Sequence, residues 1–151
     1  MAQERFCILF PPLVLVLLVL DCVQPSLAKE SQAEKFQRQH MDPDTSTVTS
    51  GYCNQMMKRR NMTVGFCKRK NTFIHETLPD VQVVCFEGTV RCENGKLNCH
   101  QSTSKMRITY CLLKEGSKYP KCDYETQQLQ KSIVVACECR QYETVHFDSF
   151  V

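Results

Sequence analysis

Three absences narrow the field before any motif is read. No CxxC pair occurs in the 151 residues, and the sole Cys-x-Cys (Cys137, Cys139) has no partner pair at ligand spacing. That sets aside the common structural zinc frameworks. No apolar run is long enough to span about 30 Å of hydrocarbon, because the stretch after Pro12 ends at Leu20 and Asp21 follows at once. No internal repeat and no low-complexity tract is visible, which excludes stacked-repeat architectures and biased disordered segments.

What is present begins with a secretory signal. Arg5 supplies a positive start although Glu4 weakens it, and the apolar run Phe6–Leu20 is broken only by Pro11 and Pro12. Ser26, Leu27 and Ala28 then offer small residues where a signal peptidase cuts. Residues 1–28 are therefore expected to be removed, leaving one domain from Lys29 to Val151 that is secreted and has no membrane segment. This domain carries 18 basic and 14 acidic residues, a net charge of +4. Such a balance suits a polyanionic partner without proving one.

Nine cysteines remain after cleavage, from Cys53 to Cys139. In a secreted chain of this size they read as a disulfide scaffold, since a small core alone stabilises weakly. Nine is odd, so at least one thiol is left over. Spacing cannot assign the bridges, because even eight cysteines allow about 105 pairings.

The pattern along the chain points to helices first and strands later. Ala33, Phe36 and His40, with Met41 beside them, share one face of a helix over 30–41. Residues 42–51 are rich in Ser, Thr, Asp, Pro and Gly and read as a loop. Further helices are expected over 53–60 and around 78–84. From Gly88 onward come short β-leaning runs at 89–92, 105–113, 132–139 and 144–147, separated by turn signals such as Asn94-Gly95, Glu115-Gly116-Ser117 and Tyr119-Pro120. The expected class is α+β with an antiparallel sheet. Asn61-Met62-Thr63 is the sole N-glycosylation sequon of the mature domain and follows a helix end, so Asn61 is a candidate glycan site.

The mature domain holds four histidines: His40, His75, His100 and His146. A lone histidine is more often packed or merely exposed than catalytic, so their neighbours decide. Gln39-His40 lies on the amphipathic helix beside Lys35 and Arg38. In Val145-His146-Phe147-Asp148 an extended strand puts Asp148 on the face of His146, where it could fix the ring's tautomer. In Cys67-Lys68-Arg69-Lys70-Asn71-Thr72-Phe73 three cations adjoin a hydroxyl and a ring, so phosphate and base could be held together. Two imidazoles and a fixed cation are what cleavage of RNA by its own 2′-hydroxyl requires. One imidazole takes a proton, the other gives one, and the cation offsets charge developing at phosphorus. Histidine suits both proton roles because its pKa lies near 6.5. That chemistry calls for no metal and no cofactor.

The segments KESQAEKFQRQHMD (29–42), YCNQMMKRRNMT (52–63), CKRKNTFIHE (67–76), SKYPKC (117–122), IVVAC (133–137) and VHFD (145–148) together resemble the pancreatic ribonuclease (ribonuclease A) family over essentially the whole mature chain. Most specific are the signature Cys-Lys-x-x-Asn-Thr-Phe, Gln-His-Met-Asp and Val-His-Phe-Asp. The resemblance implies a V-shaped antiparallel sheet with three helices and four disulfides: Cys53–Cys111, Cys67–Cys122, Cys85–Cys137 and Cys92–Cys99. It implies His40 as general base, His146 as general acid and Lys68 as the transition-state cation. Gln39 would touch the phosphate, Asp148 would orient His146, and Thr72 would read a pyrimidine with Phe147 nearby. Lys35 and Arg38 match a secondary phosphate site, and Asn98 and Glu138 match the site for the second base. Arg69, Lys70 and Asn71 complete the expected substrate contacts. Tyr119-Pro120 matches a cis-proline turn, and His75 matches a structural histidine. The implied reaction cuts single-stranded RNA 3′ to pyrimidines through a 2′,3′-cyclic phosphate. RNA is thus the expected partner, with the cytosolic ribonuclease inhibitor as the protein the family meets.

Some positions depart from the family pattern. Glu93 stands where its best-known members carry a lysine in an upstream phosphate subsite. Tyr110 replaces the aspartate that backs the threonine in reading uracil. Gln141 and Thr144 replace two prolines before His146. Cys139 is additional to the usual eight, hence either a free thiol or an intermolecular bridge in an otherwise monomeric protein. The rival functional reading keeps the scaffold but moves its biology to cationic binding or host defence, with catalysis dispensable.

Overall fold

In the computed structural model, residues 29–138 and 143–151 are described; the signal segment, Cys139 and Gln141 lie outside them. Helix α1 spans Gln32–His40, capped by Ser31, whose side chain accepts from the Glu34 N–H at 3.1 Å. Its apolar face buries Phe36 and His40, one turn apart. Helix α2 spans Tyr52–Arg59 and buries Tyr52, Cys53, Met56 and Met57. Helix α3, Leu78–Val83, is capped by Thr77 and tightens into a 3-10 turn over Val84–Phe86. The sequence placed these helices within a residue or two of their ends.

Seven strands follow two different arms. Strands β1 (Lys70–Ile74), β4 (Met106–Leu113) and β5 (Tyr124–Lys131) form one antiparallel sheet in the order β1-β4-β5. Strands β2 (Gly88–Val90), β3 (Cys99–Gln101), β6 (Ile133–Cys137) and β7 (Thr144–Phe150) form the other, in the order β2-β3-β6-β7. The arms make the V of an α+β fold with three helices. Three strands escaped the sequence reading. β1 was read only as a cationic run beside Thr and Phe, β3 is three residues long, and β5 (YETQQLQK) is almost wholly polar. β5 exists because it pairs with β4 along its whole length, from Leu113–Tyr124 to Met106–Lys131, with Tyr124 alone fully buried.

The main core gathers Phe36, Ile108, Ile133, Val135, Val81 and Val84 beneath α1 and α3. A second cluster seats α2 on Phe73 and Tyr124. Four disulfides tie these layers: Cys53–Cys111 joins α2 to β4, Cys85–Cys137 joins the 3-10 turn to β6, Cys67–Cys122 anchors the loop before β1, and Cys92–Cys99 closes a short loop before β3. The three long bridges, separated by 52 to 58 residues, are worth about 4 kcal/mol each by loop entropy. Tyr119-Pro120 is cis. Among the described residues no helix is long and apolar enough to cross a membrane.

Candidate active site

One groove runs between the arms of the V, and His40, His146, Gln39 and Phe147 line both of its lobes. The first lobe adds Lys35, Asn94, Lys96 and Asn98. The second, an open cleft of about 590 Å³, adds Lys68, Arg69, Lys70, Asn71, Thr72, Glu93, Tyr110, Asp148 and Phe150. The fold thus brings both histidines and the lysine into one cleft from three elements far apart in sequence.

His40 ends α1, held against the core by Phe36, whose ring centroid lies 5.3 Å away. Its Nδ1 lies 2.8 Å from the Thr72 carbonyl oxygen on β1. A carbonyl only accepts, so Nδ1 carries the proton and the neutral ring keeps its Nε2 lone pair. Burial holds the His40 imidazole well below its usual pKa, and the charges of Lys68 and His146 push the same way. Phe147 stacks on its ring at 5.1 Å and 28°.

Lys68 precedes β1. Its Nζ donates to Asn71 Oδ1 at 2.9 Å, and Asn71 Nδ2 donates to the Gln39 carbonyl at 2.7 Å. Asn71 is therefore a brace between the lysine and the helix carrying His40. Tyr124 supports the same lysine from below, its hydroxyl donating to the Lys68 carbonyl. Partial burial, together with the nearby charges of Lys35 and Arg38, pulls the Lys68 ammonium down to about 8.

His146, on β7, is the exposed member of the set. Its Nε2 lies 3.6 Å from Asp148 Oδ1, an ion-pair separation longer than a hydrogen bond. The Asp148 carboxylate instead accepts two contacts from the Glu93 N–H, at 3.1 and 3.2 Å. Asp148 thus pins the loop after Cys92 beside His146.

The remaining candidates divide. Lys35 and Asn98 line the first lobe, and Arg69, Lys70 and Thr72 the second. Arg38 faces away from both, its guanidinium held by Glu30 at 2.7 and 2.9 Å and donating to the Arg60 carbonyl at 2.7 Å. Glu138 is exposed beyond β6 and lines neither lobe. Thr144 is buried opposite Cys137. Asn61 is exposed, with a left-handed φ of 61°. His75 is buried, bonding the Asp42 carbonyl at 2.9 Å and the Thr109 hydroxyl at 2.6 Å, a packing role. Cys92, Cys99 and Asp148 converge within 4.8 Å, but the two sulfurs are spent in a disulfide and offer no thiolate.

Arg60 was not singled out from the sequence. Its guanidinium donates to the carbonyls of Gln37, Arg38 and Met41, at 3.3, 2.9 and 2.9 Å, and so collects the open C-terminus of α1 just past His40. In the run Lys58-Arg59-Arg60 nothing marks it out from its neighbours.

Comparison with known proteins identifies the family. A family model described as pancreatic ribonuclease matches residues 31–148. Relatives named "Ribonuclease pancreatic" are 58% identical in Lemur catta and 59% in Mus musculus, each over 152 positions covering 100% of this chain and 97% and 100% of the relative. A third, from Uranomys ruddi, is 60% identical over the full length of both chains.

Proposed function

The chain belongs to the pancreatic ribonuclease family, and from that premise we infer that it is a secreted endoribonuclease cutting single-stranded RNA on the 3′ side of pyrimidines. The observation that carries the residue roles is the buried, neutral His40 in one cleft with His146 and Lys68. His40 Nε2 accepts the 2′-hydroxyl proton, and the freed oxygen attacks the adjacent phosphorus. His146, protonated, gives its proton to the departing 5′-oxygen, leaving a 2′,3′-cyclic phosphate. Lys68 and the Gln39 side chain offset charge on the phosphoryl oxygens. In the second step the roles reverse: His146 takes a proton from water, and His40 returns one to the 2′-oxygen as the ring opens. Thr72 receives the pyrimidine in the second lobe, and Asn98 the following base in the first.

Neutral imidazole at His40 is what the first step needs, and burial supplies it. DNA is inert in this scheme because it has no 2′-hydroxyl. The mature protein is expected to cleave CpA and UpA, and His40→Ala or His146→Ala to abolish this. Cleavage that persists in both variants overturns the assignment.

The same reading takes residues 1–28 as a cleaved export signal, Asn61 as a glycan site and the cytosolic ribonuclease inhibitor as a protein partner. Mass spectrometry of secreted protein tests the first two, through an N-terminus at Lys29 and a peptide-N-glycosidase-sensitive mass at Asn61. Cys139 is assigned to a free thiol or an intermolecular bridge. Non-reducing electrophoresis of wild type and Cys139→Ala separates a bridged dimer from a monomer.

A further inference from the structure

The turn between α2 and the cationic run before β1 holds two large apolar side chains in solvent. Val64 is 69% exposed and Phe66 62%, although both ends of the turn are fixed. At the near end the chain leaves α2 through a left-handed residue, Asn61, at φ 61°. The Met62 N–H donates to the Met57 carbonyl at 2.9 Å and the Asn61 N–H to the Lys58 carbonyl at 3.1 Å. That pair of bonds closes a helix around a left-handed residue. Met57 and Met62 are both buried in the second core cluster, which locks the helix end in place. At the far end Cys67 is tied to Cys122, and the Lys68 N–H donates to the Met62 carbonyl at 3.3 Å.

Residues 63–67 therefore form a five-residue loop closed at its neck, with Gly65 near the tip in the left-handed region at φ 77°. A loop this short cannot carry its tip more than about 10 Å from the neck. Asn61 stands at that neck, exposed, one residue before Met62 turns inward. The fixed backbone denies Val64 and Phe66 any retreat into the core, so they meet whatever is held close to them. A group attached at Asn61 is held closest of all. Tethering over so short a span acts as a local concentration on the order of millimolar or more, so a weak contact suffices. The C–H face of a sugar ring suits the negative face of an aromatic ring.

We propose that Val64 and Phe66 are the docking surface for the first N-acetylglucosamine of an N-glycan on Asn61. The apolar face of the sugar lies on the Phe66 ring, Val64 closes the contact at the side, and the sugar hydroxyls face water. This rests on the reading of Asn61 as a glycan site. The glycan becomes part of the folded surface and clamps the turn that leads into Lys68.

The test compares wild type and Phe66→Ala, each secreted with its glycan and from the same cells with N-glycosylation blocked. Phe66 lies outside the core, so its truncation leaves the fold intact. The glycan is expected to raise the melting temperature of wild type by about 2–4 °C, and that of Phe66→Ala by less than about 1 °C. Phe66→Trp should keep the wild-type effect. Proton NMR of the glycoprotein should show nuclear Overhauser contacts between the Phe66 ring and the first sugar. An equal glycan effect in both backgrounds, or no such contacts, overturns the proposal. Long RNA cleaved less well by unglycosylated Phe66→Ala, with CpA unchanged, would then name RNA as the occupant of the turn. A bare Asn61 in the secreted wild type sinks the glycan reading and this inference with it, whereas a modified Asn61 with additive effects sinks this inference alone.

Discussion

The imidazole of His40 donates from Nδ1 to the backbone carbonyl of Thr72, 2.8 Å away, while Thr72 itself lines the second lobe of the cleft. In the proposed reaction one residue of β1 serves proton transfer with its main chain and recognition with its hydroxyl. The two duties separate by substitution. Thr72→Ala keeps the carbonyl, so kcat/KM on CpA and UpA should fall about tenfold, the worth of a lost hydrogen bond, while the acidic limb of the pH profile stays in place. Thr72→Ser should restore most of the loss. Movement of the acidic limb in Thr72→Ala would show that the carbonyl contact depends on the side chain.

The low pKa of His40 has a sign that can be checked in both activity and stability. With the folded value below the ordinary 6.5, His40 stays a competent base until the pH is well under the usual imidazole range, and kcat/KM should hold there. The unfolded chain takes up the proton first as pH falls. His40 therefore contributes stability that is fully present above 6.5 and lost as pH drops below it. Calorimetry between pH 7 and 5 should show a melting temperature that falls more steeply for wild type than for His40→Gln. Equal slopes would refute the buried, neutral state.

Lys68 carries the complementary strain. Partial burial and the charges of Lys35 and Arg38 destabilise its ammonium, yet the proposed reaction uses that charge. Lys68→Met should raise the melting temperature while removing activity, the trade expected of a site held for function. In wild type, the fall of kcat/KM above pH 8 includes loss of the Lys68 proton; Lys68→Arg should lose that component and descend less steeply. A Lys68→Met variant less stable than wild type would contradict the strain.

How much of this could be seen in the residues depends on the kind of signal. Helix α1 was legible because Ala33, Phe36 and His40, with Met41 beside them, share one helical face. β5 was not, because Gln127, Gln128 and Gln130 carry no hydrophobic alternation; its strand state is imposed by β4 across the ladder. The triad came from family motifs plus local company, whereas its supports are long-range. Asn71 reaching Gln39, Tyr124 reaching Lys68, and Phe150 meeting Tyr110 join residues 32, 56 and 40 positions apart, and no local pattern encodes them. Asp148 combines the two kinds of signal: it lies 3.6 Å from His146, its near neighbour on β7, while its hydrogen bonds come from the distant Glu93 N–H.

Arg60 is the missed residue with the clearest consequence. Its guanidinium satisfies three carbonyls at the end of α1, and Arg38 returns a bond to the Arg60 carbonyl. Arg60→Ala should cost about 1–3 kcal/mol of stability, since the helix end loses a charged donor. It should also lower kcat more than it changes KM, because the helix end it holds carries His40. Arg60→Lys should recover part of the loss, because all three bonds come from the single Nη1, whose place an ammonium can take, while the 3.8 Å contact of Nη2 with Asp42 is given up. An unchanged kcat alongside a lowered melting temperature would confine Arg60 to folding.

Glu93, with Asp148, places negative charge in the lobe that Lys68, Arg69 and Lys70 also line. Its backbone N–H is committed to Asp148, but the side chain is exposed and meets whatever enters from the upstream side. A dinucleotide brings no upstream phosphate; a longer RNA does. Glu93→Lys preserves the backbone contact while reversing the charge. It should raise kcat/KM on long single-stranded RNA about twofold to fivefold at low salt, the scale of an exposed charge pair, and leave CpA nearly unchanged. Plots of log(kcat/KM) against log salt should steepen by about one unit for the long substrate, as another phosphate releases its counterion. Equal gains on both substrates would mean that Glu93 acts on His146 or Lys68 and not on an upstream phosphate.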